Sequence, residues 1–409
     1  MYSRTFSRRG ILPHLPHCAR MCIHNAPARF HFSRGVTTMP LSKPRRAASP
    51  GRLDALDALR AVAIVMVVCI HVLGYCLPLP PAQYAVISFV VQTAGVATFY
   101  LTDGYLLAFG RAHKEHHHRQ FMQKSARRLL VPWIAFTVLY TAARYAFELA
   151  GLMDNYAIAG RSPAEVATAA YSSVYAPQLY FLASLFLIRA VCPVTAALML
   201  KMPVYAAGAL LAAGVWALNS YGISGLFPFS LLAGFPGQEP VLHAVHGLQF
   251  HACGMLLWRL HNRYGLRPLV LTTFPVLGLC LLGLLAGNLH LPRITQYAYL
   301  LSLFLFFAAT GFHPAPLLWL GRNTMGIYLL HTPIILKAVS MAVNRLVTIP
   351  LLSFTLITCG VVLASVTAIP LLRRLPAGHL LLGEYPPAKK QAGPPTPRSR
   401  REPQSNRSV

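Results

Sequence analysis

Acidic side chains are almost missing from this chain. It holds 10 Asp and Glu among 409 residues, and charged residues of both signs make up only 11%. Ordinary soluble domains carry about 25% charged residues, so a water-facing surface is excluded for most of the chain. A chain disordered throughout is excluded as well, because hydrophobic residues reach 55%. Cysteine is sparse, at 8 residues. Six of these (Cys69, Cys76, Cys192, Cys253, Cys280, Cys359) lie in or beside apolar runs and read as small core residues, which excludes a disulfide framework. His14, His17, Cys18, Cys22 and His24 cluster, but their spacing matches no zinc template, so no metal site is expected. Residues 1–52 contain no apolar core of signal-peptide length. No internal repeat and no second domain is visible.

Long apolar runs are what the chain does have. Beyond Arg52, ten segments approach the length of about 20 residues that a bilayer requires. Their limits are 57–77, 84–109, 129–149, 178–199, 203–220, 241–260, 268–287, 294–311, 323–343 and 347–371. The expected fold is therefore all-α, a polytopic membrane protein of about ten transmembrane helices. The stretch SPAEVATAAYSSVYAPQ before 178 predicts a short amphipathic helix outside the membrane. GLFPFSLLAGF (225–235) predicts a re-entrant or interfacial segment.

Loop charge tests this map. With residues 1–52 inside, the even-numbered loops hold Arg111, Lys114, Arg119, Lys124, Arg127, Arg128, Lys201, Arg259, Arg263, Arg267 and Arg322. The odd-numbered loops hold Arg161, Arg293 and Arg345. That bias puts both termini in the cytoplasm. It also explains the net charge of +26 without a nucleic-acid partner, since the basic residues sit at the ends and in short loops. The expected division is a basic, disordered tail over 1–52 (with Met39 an alternative start), a membrane domain over 53–371, and a second basic, disordered tail over 372–409.

Polar residues inside the apolar runs are the candidates for chemistry, because such groups are costly in hydrocarbon. In the first span, Arg60 and His71 are eleven residues apart. At about 100° per residue they fall within roughly 20° of one another, about 16 Å apart along the axis. Asp57 lies near the same line. Arg60 reads as a positive-inside anchor or an anion ligand, and His71 as a buried core histidine or a proton acceptor. Asp103 in the second span is at Arg60's depth, and an ion pair with Arg60 or Arg127 is expected. Gly104 beside it leaves room for a backbone or a ligand to approach. The basic loop Arg111–Arg128, with His113, His116, His117 and His118, marks topology or binds phosphate. Gln178 and Tyr180 open the fourth span at the interface. In the ninth, His331 falls near mid-membrane, one turn after Tyr328.

The motifs in order resemble the acyltransferase 3 family of integral membrane acyltransferases, over roughly residues 53–370. LDALRAVAIVMVVCIH (56–71) is similar to the family's LDGLRGIAALLVVLFH. FYLTDGYLL resembles FFVLSGFLL, RRLLVPW resembles RLLIPY, LYFL resembles LWFL, and GRNTMGIYLLHTP resembles GKISYSIYLLHPP. Departures fall at Asp103, where the family has Ser, at the Arg-x-x-Arg pattern before the third span, and at Gln178 and Tyr180.

The resemblance implies transfer of an acyl group, acetyl above all, from cytoplasmic acetyl-CoA to a hydroxyl of a cell-surface glycan or lipid-linked sugar. It implies no bound cofactor and a place in the bacterial inner membrane. Arg60 and His71 become the catalytic residues, with Arg60, Lys124, Arg127 and Arg128 on the acyl donor. His71 takes the hydroxyl's proton or accepts the acyl group transiently. Asp57, Asp103, Gly104, Gln178, Tyr180, Tyr328 and His331 support the site. A glycan or lipid-precursor transporter is the competing expectation.

Overall fold

The computed structural model describes residues 54–113, 117–151, 157–226, 238–285 and 292–384. Both expected tails lie outside these ranges except for 372–384. So do the His and Cys cluster at 14–24, most of the segment expected at 225–235, and with the chain ends the question of which side they face. The described residues are helical, with no strand among them.

The sequence explains where several helices begin. The first, α1 (Asp54–Val72), has Asp54 and Asp57 in its opening turn, where carboxylates complement the helix dipole. It is followed by α2 (Pro81–His113) and α3 (His118–Ser125), which a π-helical turn joins to α4 (Val131–Leu149). The helix expected outside the membrane is α5 (Pro163–Tyr171), with no buried residue. Ser162 and Glu165 form a reciprocal capping box around Pro163 there. Next come α6 (Tyr180–Ala190), α7 (Cys192–Ala196) and α8 (Val204–Leu226), which breaks at Gly222. α9 (Gln238–Tyr264), α10 (Leu266–Leu285) and α11 (Pro292–Thr310) follow. The last described elements are α12 (Ala315–Arg322), α13 (Thr324–Leu330), α14 (Leu336–Leu346), α15 (Pro350–Arg373) and α16 (Gly378–Leu381).

Every expected span falls on helix, but among the described residues six helices are long and apolar enough to cross a bilayer. They are Asp54–Val72, Pro81–Arg111, His118–Leu149, Leu266–Gly283, Thr324–Leu346 and Pro350–Arg373. The pair Pro177–Ala190 and Cys192–Lys201, bent by 59°, makes a seventh if it is one span. The shortfall from ten has visible causes. Val204–Ser220 and Ile294–Thr310 are apolar but shorter, and α9 carries too many polar side chains to score as a span.

Those polar side chains turn inward. His251 is fully buried and Gln249 nearly so. α9 packs along α2 and α6, and α1 packs on α2 and α12. α1 is the central element: 67% of its apolar window is buried, against 6% for α10 at the periphery. Outward faces carry Ile134, Val138, Leu271, Leu279, Leu282 and Leu363, exposed as lipid contact demands. α2 and α9 touch backbone to backbone. A Cβ at Gly104 would strike the His251 carbonyl, and one at Gly254 the Leu101 carbonyl. The close approach expected at Gly104 is thus made by another helix.

Order extends past the expected boundary at 371. α16 and the residues to Glu384 pack back on the bundle, with Leu382 fully buried. The six cysteines in the described regions are all free; five are buried or half-buried and Cys359 is exposed.

Candidate functional site

The start of α1 carries a small charge network. Arg60 Nη1 is 3.8 Å from Asp57 Oδ1, one turn earlier on the same helix. Arg322, from α12, reaches Asp57 at 3.7 Å and Asp54 at 3.8 Å. Beside this network lies a cavity of about 110 Å³ whose lining includes Arg60, Asp103, Arg128, Arg189, Thr324 and Tyr328. Three guanidinium groups and one carboxylate face it, an arrangement suited to an anion.

Asp103 does not pair with Arg60 or Arg127 as expected. Its partner is Arg189 of α6, which donates from Nε at 3.1 Å and also from Nη2. Arg189 Nη1 reaches Ser125 Oγ at 3.3 Å, and His251 Nε2 lies 3.4 Å from Asp103 Oδ2. The reason is geometric. Arg60 has a carboxylate on its own helix, Arg127 points away from the bundle, and α6 and α9 bring Arg189 and His251 to α2. Charges in hydrocarbon survive by such pairing.

A second constellation sits deeper. His331 Nδ1 lies 2.8 Å from the Tyr328 carbonyl and 3.1 Å from the Ile327 carbonyl. Carbonyls only accept, so Nδ1 carries the hydrogen and Nε2 presents a lone pair. That Nε2 is buried with no hydrogen-bond partner. The ring of His71 faces it, centroid to centroid 5.2 Å. Gln178, expected at the interface, is buried instead. Its Nε2 donates to the Thr332 carbonyl at 2.9 Å, and its own carbonyl accepts the Tyr328 hydroxyl. Gln178 Oε1 is also buried without a partner. The chain opens the helix at Thr332, where φ is −140° and ψ is 154°, and Gln178 caps the freed carbonyl. Two acceptors, His331 Nε2 and Gln178 Oε1, thus stand beside Thr332 without a donor. Buried polar atoms are normally satisfied, so such a pair marks a place for an incoming O–H or N–H group.

The remaining candidates divide. Lys124, at the end of α3, and Arg127 and Arg128, in the π-helical turn after it, are all exposed, and of the three Arg128 is in the first cavity's lining. Tyr180 is half-buried and stacks on His243 at 3.7 Å. Tyr328 lines the first cavity, and its ring lies 6.1 Å from His331. His71 is not in that cavity's lining; it is reached through Tyr328 and His331.

Arg189, His251 and Thr324 were not anticipated. A lone Arg inside the apolar run LYFLASLFLIRAV is the same signal that singles out Arg60, and it was available for Arg189.

The far end of the chain bears on the first cavity. Arg373 donates from Nη2 to Glu384 Oε1 at 2.6 Å and to Asn323 Oδ1 at 2.8 Å. His379 Nδ1 lies 3.1 Å from Glu384 Oε2. Partial burial raises the Glu384 carboxyl, but the hydrogen bonds from Arg373 and His379 outweigh it and hold the group below the ordinary carboxylate range. Gly383 abuts the Arg128 carbonyl and Met325, so this hook backs two residues of the cavity wall.

No curated protein and no solved structure matches the chain. The family model described as an acyltransferase domain matches residues 53–370.

Proposed function

The chain belongs to the acyltransferase 3 family, and from that premise we propose that it is a membrane O-acyltransferase with His71 as its general base. The donor is a cytoplasmic acyl-CoA, acetyl-CoA first, and the acceptor is a hydroxyl of a cell-surface glycan or lipid-linked sugar. The location is a bacterial inner membrane, crossed ten times, with both ends in the cytoplasm.

The observation that carries this reading is the ring of His71 lying 5.2 Å, centroid to centroid, from that of His331, whose Nε2 is buried without a partner. A hydroxyl brought there finds an imidazole to take its proton, and a second O–H or N–H of the acceptor can satisfy His331 Nε2. Arg60, Arg128 and Arg189 around the first cavity suit the anionic donor. The donor's phosphates meet these arginines at the cavity's mouth, and its small volume leaves the bulky adenosine end outside, near Lys124 and Arg127. In the transfer, His71 takes the hydroxyl proton, the oxygen attacks the thioester carbonyl carbon, and the carbon–sulfur bond breaks. The imidazolium returns its proton to the leaving thiolate, so an ester and a free thiol are formed.

Purified protein given labelled acetyl-CoA and a sugar acceptor tests this. Label should appear as an ester on the sugar, and His71→Ala should abolish it while the variant stays folded. Full activity in His71→Ala would remove the base. Movement of a glycan across vesicles with no ester formed would make the protein a transporter. Neutralising Arg127 and Arg128 together should weaken acetyl-CoA binding about tenfold; unchanged binding would remove that role.

A further inference from the structure

A second cavity, of about 480 Å³, lies at the other end of the helices that frame the first. The stretch from Thr324 on the first cavity to Lys337 on the second runs through α13, the opened turn at Thr332 and the start of α14. α4 likewise runs from beside Arg128 to Arg144, about 24 Å. His331 stands between them. Tyr328, three residues before it, lines the first cavity, and Pro333, two residues after it, lines the second. Tyr140, also in the second cavity's wall, donates to the Leu329 carbonyl at 2.5 Å.

The second cavity's chemistry is divided. One side is apolar and open: Ile334 is 41% exposed and Met341 51%. Both lie on Thr324–Leu346, a segment long and apolar enough to cross a bilayer, so this flank suits contact with lipid. The other side is polar. Arg144 is held by Glu148 at 2.9 Å and sits 5.9 Å from the centroid of the Tyr175 ring. Glu148 is balanced by Arg144 and by the backbone N–H groups of Ala157, Ile158 and Ala159, each at 2.9 Å. That leaves the Lys337 ammonium as the net charge of the lining, one cation between an apolar flank and aromatic rings.

We propose that this second cavity is a binding site for a lipid phosphate that carries the acceptor sugar. The phosphate meets Lys337, the lipid tail leaves past Ile334 and Met341, and the sugar packs on Tyr140 and Tyr175 toward His331. The proposal rests on the acyltransferase reading for the sugar's fate, but not for binding.

Three probes test it with the full chain in detergent: farnesyl-phosphate-linked N-acetylglucosamine, neutral farnesyl N-acetylglucosaminide, and lipid-free N-acetylglucosamine 1-phosphate. The first should bind at least about tenfold more tightly than either of the others. Lys337→Gln should reduce it to the level of the neutral probe, and Lys337→Arg should restore it to within about threefold. Ala338→Phe, which fills the cavity, should weaken all lipid probes together. Equal binding of charged and neutral probes, or a Lys337→Gln variant that binds like the parent, overturns the site. Release of free thiol from acetyl-CoA reports the other cavity separately. Bound probe without thiol release would sink the acyltransferase reading and leave this site standing; thiol release without charge-dependent binding would do the reverse.

Discussion

His331 decides how the histidine pair works. Its Nδ1 hydrogen is spent on backbone carbonyls, so its Nε2 can only accept. Replacing it with Phe keeps a ring of similar size and removes that acceptor. The expected result is a fall of about 10²-fold in kcat with KM for acetyl-CoA little changed, read by steady-state kinetics. An equal loss in donor KM would move His331 to the donor side. Arg189 is a different case. Arg189→Gln strands Asp103 as a buried carboxylate and should cost about 3–5 kcal/mol, while Asp103→Asn together with Arg189→Gln should recover most of it. Thermal unfolding of the single and double variants measures the coupling. These two cases also show what the sequence could say. Arg60, Asp57 and His71 share one helix, and helical spacing alone relates them. Asp103 and Arg189 are 86 residues apart and meet only because α6 and α9 converge on α2. Nothing local could choose among Arg60, Arg127 and Arg189 as the partner.

At the scale of elements, the crossing of α2 and α9 holds Asp103 and His251 together, and it depends on two residues without side chains. Gly104→Ala and Gly254→Ala each place a methyl group against a backbone carbonyl of the opposing helix. Each should destabilise the fold by about 1–3 kcal/mol, seen as a lower Tm. A neutral result would mean the helices part easily there. α9 also explains why the span count was hard to read. Its inward face holds Gln249 and His251, so a helix at the centre of the bundle looks too polar for a membrane. Apolar length identifies helices that touch lipid, and underrates one whose polar face is enclosed by its neighbours. α5, by contrast, was legible because Ser162, Pro163 and Glu165 specify its start within four residues.

The chain's C-terminal hook makes the same point about reach. The Arg- and Pro-rich composition after 371 reads as a tail, yet Glu384 ties back to Arg373 and places Gly383 against the Arg128 carbonyl. Because the folded Glu384 carboxyl lies below its value of 4.5 in the open chain, its contribution is complete above that pH and fades as pH falls through the lower folded value. The Tm difference between the parent and Glu384→Gln should therefore hold steady from neutral pH to about pH 5 and shrink in more acid solution. A difference that grew on acidification would reverse the assignment.

For the whole molecule, the question is whether the two cavities open to opposite sides of the membrane. On the proposed topology Lys124 and Arg128 face the cytoplasm and the end of α14, with Arg345, faces outside. α4, which runs about 24 Å from beside Arg128 to Arg144, is long enough against a hydrocarbon core of about 30 Å to be compatible with opposition. Opposition is what a donor confined to the cytosol and an acceptor presented outside require. It also follows for a transporter, so it constrains both readings without choosing between them. Lys124 and Leu346 are both exposed. In a background with all 8 native cysteines replaced, Lys124→Cys and Leu346→Cys can be challenged with a membrane-impermeant maleimide. In right-side-out vesicles only the Leu346→Cys protein should label, and in inverted vesicles only the Lys124→Cys protein. Labelling of both from one side would mean an even number of crossings between them. A thioester met at Arg60 and a sugar met at Lys337 would then share a compartment, and transfer through the plane of His331 would lose its purpose.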